Sequence, residues 1–351
     1  IQGPLGGLWY SAAPALALQS IAVEATPVGS LISGATWSVV GQRYPWGADR
    51  WGYFRGRVAG SGITSDNDAG LFRIDSSATP VPLVTLIARE GEAAPEAQTS
   101  YSLIHDSNVQ VCNGAGASAF VGRVAGDSVG IADARLFSVD AAGSVAVLAA
   151  EGAHAPSATG PSLADLARFS NRFVIGGINA SGHVVFEAAL TADDGQPIQA
   201  NEGIWTDASG ALRMVVRRGQ AIPDCGASCS ELFENVSEIA INDNGTVVFR
   251  ASVTGSTNEG IWANLGSGGA LSQIVREGDE APGVSECAAT FASGLSSTSA
   301  RIVLADSDEI VFQATLEGTC IDTTNDQGIW RYNPSSGQLE LLLRDSGVYT
   351  V

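Results

Sequence analysis

Five times in this chain a phenylalanine opens the same short pattern: "YFRGRV" at Phe54, "AFVGRV" at Phe120, "VFEAAL" at Phe186, "VFRASV" at Phe249 and "VFQATL" at Phe312. The intervals are 66, 66, 63 and 63 residues. Two positions after each Phe stands a small residue (Gly56, Gly122, Ala188, Ala251, Ala314), and two further on a branched aliphatic one (Val58, Val124, Leu190, Val253, Leu316). A period of two is the mark of a strand with one packed face. The small residue between two large ones predicts close approach by a neighbouring sheet. The residue just after Phe varies (Arg55, Val121, Glu187, Arg250, Gln313), so that face is expected to pack less strictly.

Each repeat continues with an aliphatic-aromatic pair: Leu71-Phe72, Leu136-Phe137, Ile204-Trp205, Ile261-Trp262 and Ile329-Trp330. A turn follows, then a third apolar strand closed by a fixed punctuation, with Gly91, Gly152, Gly219 and Gly278 each four residues before Pro95, Pro156, Pro223 and Pro282. Gly takes positive φ and Pro cannot donate to a ladder, so this reads as a strand end and exit loop. A further strand, such as "SEIAI", precedes each Phe.

Four strands in each of five repeats predict an all-β fold, a five-bladed β-propeller of four-stranded blades with an N-terminal extended arm; a linear β-solenoid is the rival. The expected organisation is an arm over 1–30, blades over about 31–97, 98–158, 159–224, 225–284 and 285–347, and a tail over 348–351. Helix is expected only over "SLADLARF", 162–169. The combination of N-x-x-G before V-V-F, then G-I-W, then R-E-G-D-x-A-P-G resembles a family of bacterial secreted tandem-repeat proteins of propeller-like character and uncharacterised function. That resemblance spans residues 50–347 and implies export and an extracellular or cell-surface life. It brings no catalytic residues with it.

Composition narrows the chemistry. With 37 acidic against 18 basic residues, a formal charge of -19 opposes nucleic acid and anionic membranes as partners. Every basic residue is Arg, so Schiff-base chemistry and a P-loop lysine are excluded. No apolar run is long enough for a membrane span. The chain starts at Ile1 and has no Arg before Arg43, which reads as a mature chain without a signal peptide. Cys225 with Cys229 and Cys287 with Cys320 are disulfide candidates, leaving Cys112 over and pointing to an oxidising compartment.

No Ser-hydrolase pattern is present, and His105, His154 and His183 read as surface or packed histidines. Asp49, Glu187 and Glu238 are conceivable glycosidase carboxylates without a spacing that prefers them. Arg89-Glu90, Arg276-Glu277 and Arg344-Asp345 recur by repeat and are read as ion pairs between blades. The single aromatic cluster "YPWGADRWGYF" offers Tyr44, Trp46, Asp49, Trp51 and Tyr53 as a glycan-stacking platform, or alternatively as a plug. "INDNGTVVF" has the look of a calcium loop but reads as a hairpin turn, because "NASG" and "ADSD" stand at its place in repeats three and five. Calcium is kept as a local alternative at Asp243, Asn244, Asp306 and Asp308; no other cofactor is expected.

The arm over 1–30 carries one acid and no base. Its strand-like Leu16, Leu18, Ile21 and Val23 fit insertion into a neighbouring copy. The leading expectation is thus a non-enzymatic extracellular structural or filament subunit that assembles with copies of itself through the arm. A protein that binds surface glycans is the alternative, and a glycoside hydrolase the next.

Overall fold

The structure is a computed structural model and describes residues 7–10, 19–46, 50–78, 82–104, 111–126, 130, 132–156, 167–192, 197–223, 230–255, 259–295 and 302–345. The chain divides into two compact units, one of Ile1–Ala153 with Phe169–Gly182, the other of His154–Arg168 with His183–Val351. Among the described residues the only helical element is a 3-10 turn, Gly29–Leu31. Of the segment expected as helix, 162–166 lie outside the described residues, and Arg168 already begins a strand.

In the first unit the arm forms β1 (Gly7–Tyr10) and β2 (Gln19–Val23), which pair antiparallel. Repeat one follows as β3 (Thr36–Trp46), β4 (Trp51–Ala59), β5 (Ala69–Asp75) and β6 (Leu83–Arg89), an antiparallel sheet in chain order. Repeat two supplies β7 (Ser100–Ile104), β8 (Val111–Cys112), β9 (Ser118–Ala125), β10 (Ala134–Val139) and β11 (Val145–Ala150), with β7 and β8 both on the free edge of β9. The unit ends with β12 (Arg168–Ile178).

The second unit holds β13 (Val184–Thr191), β14 (Pro197–Thr206) and β15 (Arg213–Arg217) of repeat three. Repeat four is β16 (Phe233–Ile241), β17 (Val247–Val253), β18 (Glu259–Asn264) and β19 (Leu271–Arg276). Repeat five is β20 (Ala289–Phe291), β21 (Ile302–Leu304), β22 (Ile310–Gly318), β23 (Gln327–Asn333) and β24 (Gln338–Arg344). Cys287 and Cys320 are bridged, with Cα atoms 5.9 Å apart; Cys225 and Cys229 lie outside the described residues.

Strand register places an aromatic row on one side of each sheet and an aliphatic row on the other. The aromatic rows begin Phe54–Phe72, Phe120–Phe137, Phe186–Trp205, Phe249–Trp262 and Phe312–Trp330. The opposite rows are Arg55–Leu71–Ala88, Val121–Leu136–Ala149, Glu187–Ile204–Val216, Arg250–Ile261–Val275 and Gln313–Ile329–Leu343. Within the units, the aliphatic row of one repeat packs with the aromatic row of the next. Leu71 and Ala88 share a core with Phe120 and Phe137, Ile204 and Val216 with Phe249 and Trp262, and Ile261 and Val275 with Phe312 and Trp330.

The position after Phe is buried in repeats one, two and four (Arg55, Val121, Arg250), half-buried at Glu187 and exposed at Gln313. Arg250 is fully buried with Nε on Glu238 Oε2, and Arg55 is buried 3.8 Å from Glu90. The small residues also answer to a different neighbour than expected. A Cβ on Gly56 would meet Trp37 at 2.7 Å, a ring of the same sheet. The glycine of G-I-W works likewise: a Cβ on Gly260 would lie 2.6 Å from the Trp262 ring two residues on. Side chains at i and i+2 share a face, so Gly clears the floor under the indole.

Candidate functional site

Three hydrogen-bond sets recur and explain the repeat's conserved-looking letters. First, the punctuation glycine donates its N–H to the aromatic that starts the next repeat: Gly91 to Tyr101 O, Gly152 to Phe169 O, Gly219 to Phe233 O and Gly278 to Phe291 O, at 2.8 to 2.9 Å. These glycines sit at φ between 78° and 83°, a region costly for other residues. Second, in repeats three and five the G-I-W indole reaches the proline of the preceding punctuation, Trp205 Nε1 to Pro156 O at 3.2 Å and Trp330 Nε1 to Pro282 O at 3.1 Å, whereas Trp262 Nε1 of repeat four is buried without a partner among the described residues. Third, the turn asparagine ties one repeat's turn to the next. Asn113 Nδ2 donates to Asn179 O at 2.8 Å, and Asn242 Nδ2 to Ala305 O at 2.7 Å.

That third set fixes the role of "INDNG". Asn242 Oδ1 accepts from Thr246 N at 2.9 Å, closing the turn between β16 and β17. The carboxylates considered for calcium are engaged by protein donors. Asp308 Oδ1 accepts from Asn242 Nδ2 at 2.7 Å and from Thr246 Oγ1 at 2.6 Å, while Asp306 Oδ1 accepts from Asp243 N at 3.1 Å. Asn244 Nδ2 donates to Asp306 O at 2.6 Å. Among the described residues no group of three His, Cys, Asp or Glu is placed to hold a metal.

Of the residues considered for a glycan platform, Asp49 and the side chains of Tyr44 and Trp46 lie outside the described residues, while Trp51 and Tyr53 are buried. They share strand β4 and its aliphatic side with Arg55, the side that repeat two covers. Arg50 and Arg73 lie 4.8 and 4.7 Å from the centroid of the Trp51 ring, and Tyr53 donates its hydroxyl to Gly116 O at 2.7 Å. Burial pushes the Tyr53 hydroxyl pKa upward.

The Arg-Glu pairs connect positions within one repeat rather than neighbouring residues. Arg276 donates through both terminal nitrogens to Glu231, each at 2.7 Å, and Arg344 Nη1 donates to Glu286 at 3.2 Å. Arg89 Nε donates to Asn67 O at 2.9 Å. Of the imagined carboxylates, Glu187 stands on β13 and Glu238 holds Arg250 from a backbone at φ 46°. His183 lies 3.7 Å from Asp207, His154 is exposed, and His105 is outside the described residues.

The feature that departs from the repeat is the far side of repeat five. In the first four repeats the second and third members of the aliphatic row are buried, Val275 completely. In repeat five Leu343 is 45% exposed, Ile329 and Gln327 are half-buried and Gln313 is exposed. Val303, 58% exposed on β21, and Leu342, 40% exposed, extend the patch. A hollow of about 360 Å³ lies on this face, lined by Gln313, Gln327, Gly328, Ile329, Leu343, Arg344 and Asp345. Asp345 lines the hollow, and Glu309, Glu317 and Glu340 stand farther along the same side of the sheet. Arg331 is held by Glu309, at 3.4 Å, and by Glu340.

These sheets define an all-β protein built of propeller-like, four-stranded antiparallel blades. The sequence pattern described as "Family of unknown function (DUF7453)" matches residues 4–264 and again 178–347, and the chain belongs to that family. Among solved structures, an oligogalacturonate lyase in complex with manganese is similar at 11% identity and TM-score 0.36, over 85% of this chain and 64% of that one. A Hadza microbial sialidase is similar at 12% identity and TM-score 0.32, over 85% and 57%, and a Trypanosoma rangeli sialidase at 9% and 0.32, over 86% and 47%. The chain thus spans less than two thirds of each of these proteins. No curated protein matches it. Likenesses this distant assign no activity to the chain.

The expectation of a filament subunit joined through its arm is corrected by the arm itself, which closes on its own chain: Leu8, Ile21 and Ala22 pack into the core of Trp37, Phe54 and Phe72. Val23 pairs with Gly7 across β1 and β2, while Leu16 and Leu18 are outside the described residues. An apolar strand already used in its own core is not available for donation. No helix among the described residues is long and apolar enough to cross a membrane.

Proposed function

We propose that the protein is a binding module that receives a partner protein on the exposed far side of repeat five. The observation that carries this reading is the aliphatic row: buried at Leu71, Leu136, Ile204 and Ile261, but half-buried at Ile329 and 45% exposed at Leu343. The open face sets Ile329, Leu343 and Val303 among Gln313, Gln327 and charged side chains, and such a mix of apolar and polar groups is the usual make-up of a docking surface. The Cys287–Cys320 bridge supports work in an oxidising compartment, in keeping with the secreted proteins that the repeat resembles.

The test is a phage-displayed library of β-hairpin peptides selected on the immobilised full chain. Enriched binders should lose most of their binding on Leu343→Asp and Val303→Asp, and keep it on Ser336→Asp at an exposed turn. Matching thermal midpoints would establish that the variants fold. Binders that ignore Leu343→Asp and Val303→Asp, or a selection that yields none, would overturn the reading.

A further inference from the structure

Granting that docking reading, we infer that the occupant of the repeat-five face is a β-sheet protein that presents aromatic side chains within a basic rim. The first argument is the molecule's own packing rule. At three junctions inside the units an aliphatic row is covered by a row of rings: Phe120 and Phe137 over Leu71, Phe249 and Trp262 over Ile204, Phe312 and Trp330 over Ile261. The Gln313–Ile329–Leu343 row occupies the equivalent register, so a ring-bearing sheet fits it by the same geometry. The hollow of about 360 Å³ beside Ile329 and Leu343 provides room for ring side chains.

The second argument is charge. The rim carries Glu309, Glu317, Glu340 and Asp345, and its two arginines are already engaged, Arg331 by Glu309 and Glu340 and Arg344 by Glu286. The whole chain adds a formal -19. A cationic rim on the partner is therefore attracted, and an acidic one repelled. The same argument disfavours a second copy of this chain, whose matching face carries the same excess of acidic groups.

The experiment uses three disulfide-closed hairpin peptides of one length, titrated into the full chain by fluorescence anisotropy. One has an aromatic face with an Arg rim, one a Leu/Val face with an Arg rim, one an aromatic face with a Glu rim. The first should bind at least about tenfold more tightly than either other, and should weaken with added salt and on Leu343→Asp. Equal binding of all three that still depends on Leu343 would sink the aromatic-basic occupant while leaving the docking reading intact. Tightest binding by the Leu/Val or Glu-rimmed hairpin, or none by any, would also overturn this inference. The docking reading is judged separately, by the library selection on Leu343→Asp.

Discussion

Trp330 donates its indole N–H to the carbonyl of Pro282, 48 residues earlier in the chain and in the preceding repeat. Trp205 does the same with Pro156. The proline of the exit loop thus ends one sheet and supplies the acceptor for the next sheet's largest buried ring. A buried indole gains from such a partner, which the A-P punctuation supplies in these two repeats, while Trp262 of repeat four, preceded by I-P, is buried with its Nε1 unpaired among the described residues.

Gly260 is held to its identity by the ring it faces. Gly260→Ala would place a methyl 2.6 Å from Trp262 and 2.8 Å from Val275 O. Overpacking of this kind costs about 1–3 kcal/mol. Urea unfolding should show a lower midpoint, and Gly260→Ala combined with Trp262→Phe should recover part of the loss.

The turn clasp between repeats four and five is sensitive to one amide. Asn242→Asp removes the donor to Ala305 O and sets a carboxylate against Asp308. The expected loss at neutral pH is about 1–3 kcal/mol, the range for a buried group left without its partner. Because the new repulsion needs both carboxylates ionised, the gap to wild type should narrow as pH falls through the carboxylate range. Thermal melts across pH measure it.

Acid should weaken the protein partly through Glu231. Hydrogen bonds from Arg276 hold the Glu231 carboxyl below its ordinary range. A carboxylate lowered in the fold contributes stability at pH above its unfolded pKa. That contribution is lost as pH falls below about 4 and through the folded value. Glu231→Gln should be less stable than wild type at neutral pH and should show a shallower decline in acid, read from urea midpoints at a series of pH values.

Removing residues 1–30 should expose the aromatic side of repeat one. Leu8, Ile21, Ala22 and Val28 leave the core that contains Trp37, Phe54 and Phe72. The shortened chain is expected to bind an apolar dye such as ANS more strongly and to melt at a lower temperature. An unchanged melt and no dye binding would mean that the arm is dispensable for that core.

Much of the fold was legible because strands write their faces with a period of two. Phe249, Ala251 and Val253 all point to one side, and all are buried. The same period applied to Trp51, Tyr53 and Arg55 places them together on the side that the next repeat covers. Their concentration of rings suggested an exposed platform, but ring content does not say which side of a strand meets solvent. Arg250 was less legible still. Its burial depends on Glu238, twelve positions away on a bulged neighbouring strand, and no local pattern marks that pairing. The exposed row of repeat five was also hidden, since Leu343 has the letters of a core residue and its exposure follows from what does not lie over it.

The one disulfide among the described residues falls in repeat five, joining the approach to β20 with the β22–β23 connection, 33 positions apart. Repeats one, three and four have their aliphatic rows packed against the aromatic row of the next repeat, whereas this repeat has one side open. A covalent crosslink there limits how far the β20 edge of this sheet can part from the end of β22. In a reducing medium that restraint would be released first where non-covalent support is thinnest. Redox state would then act on the stiffness of repeat five.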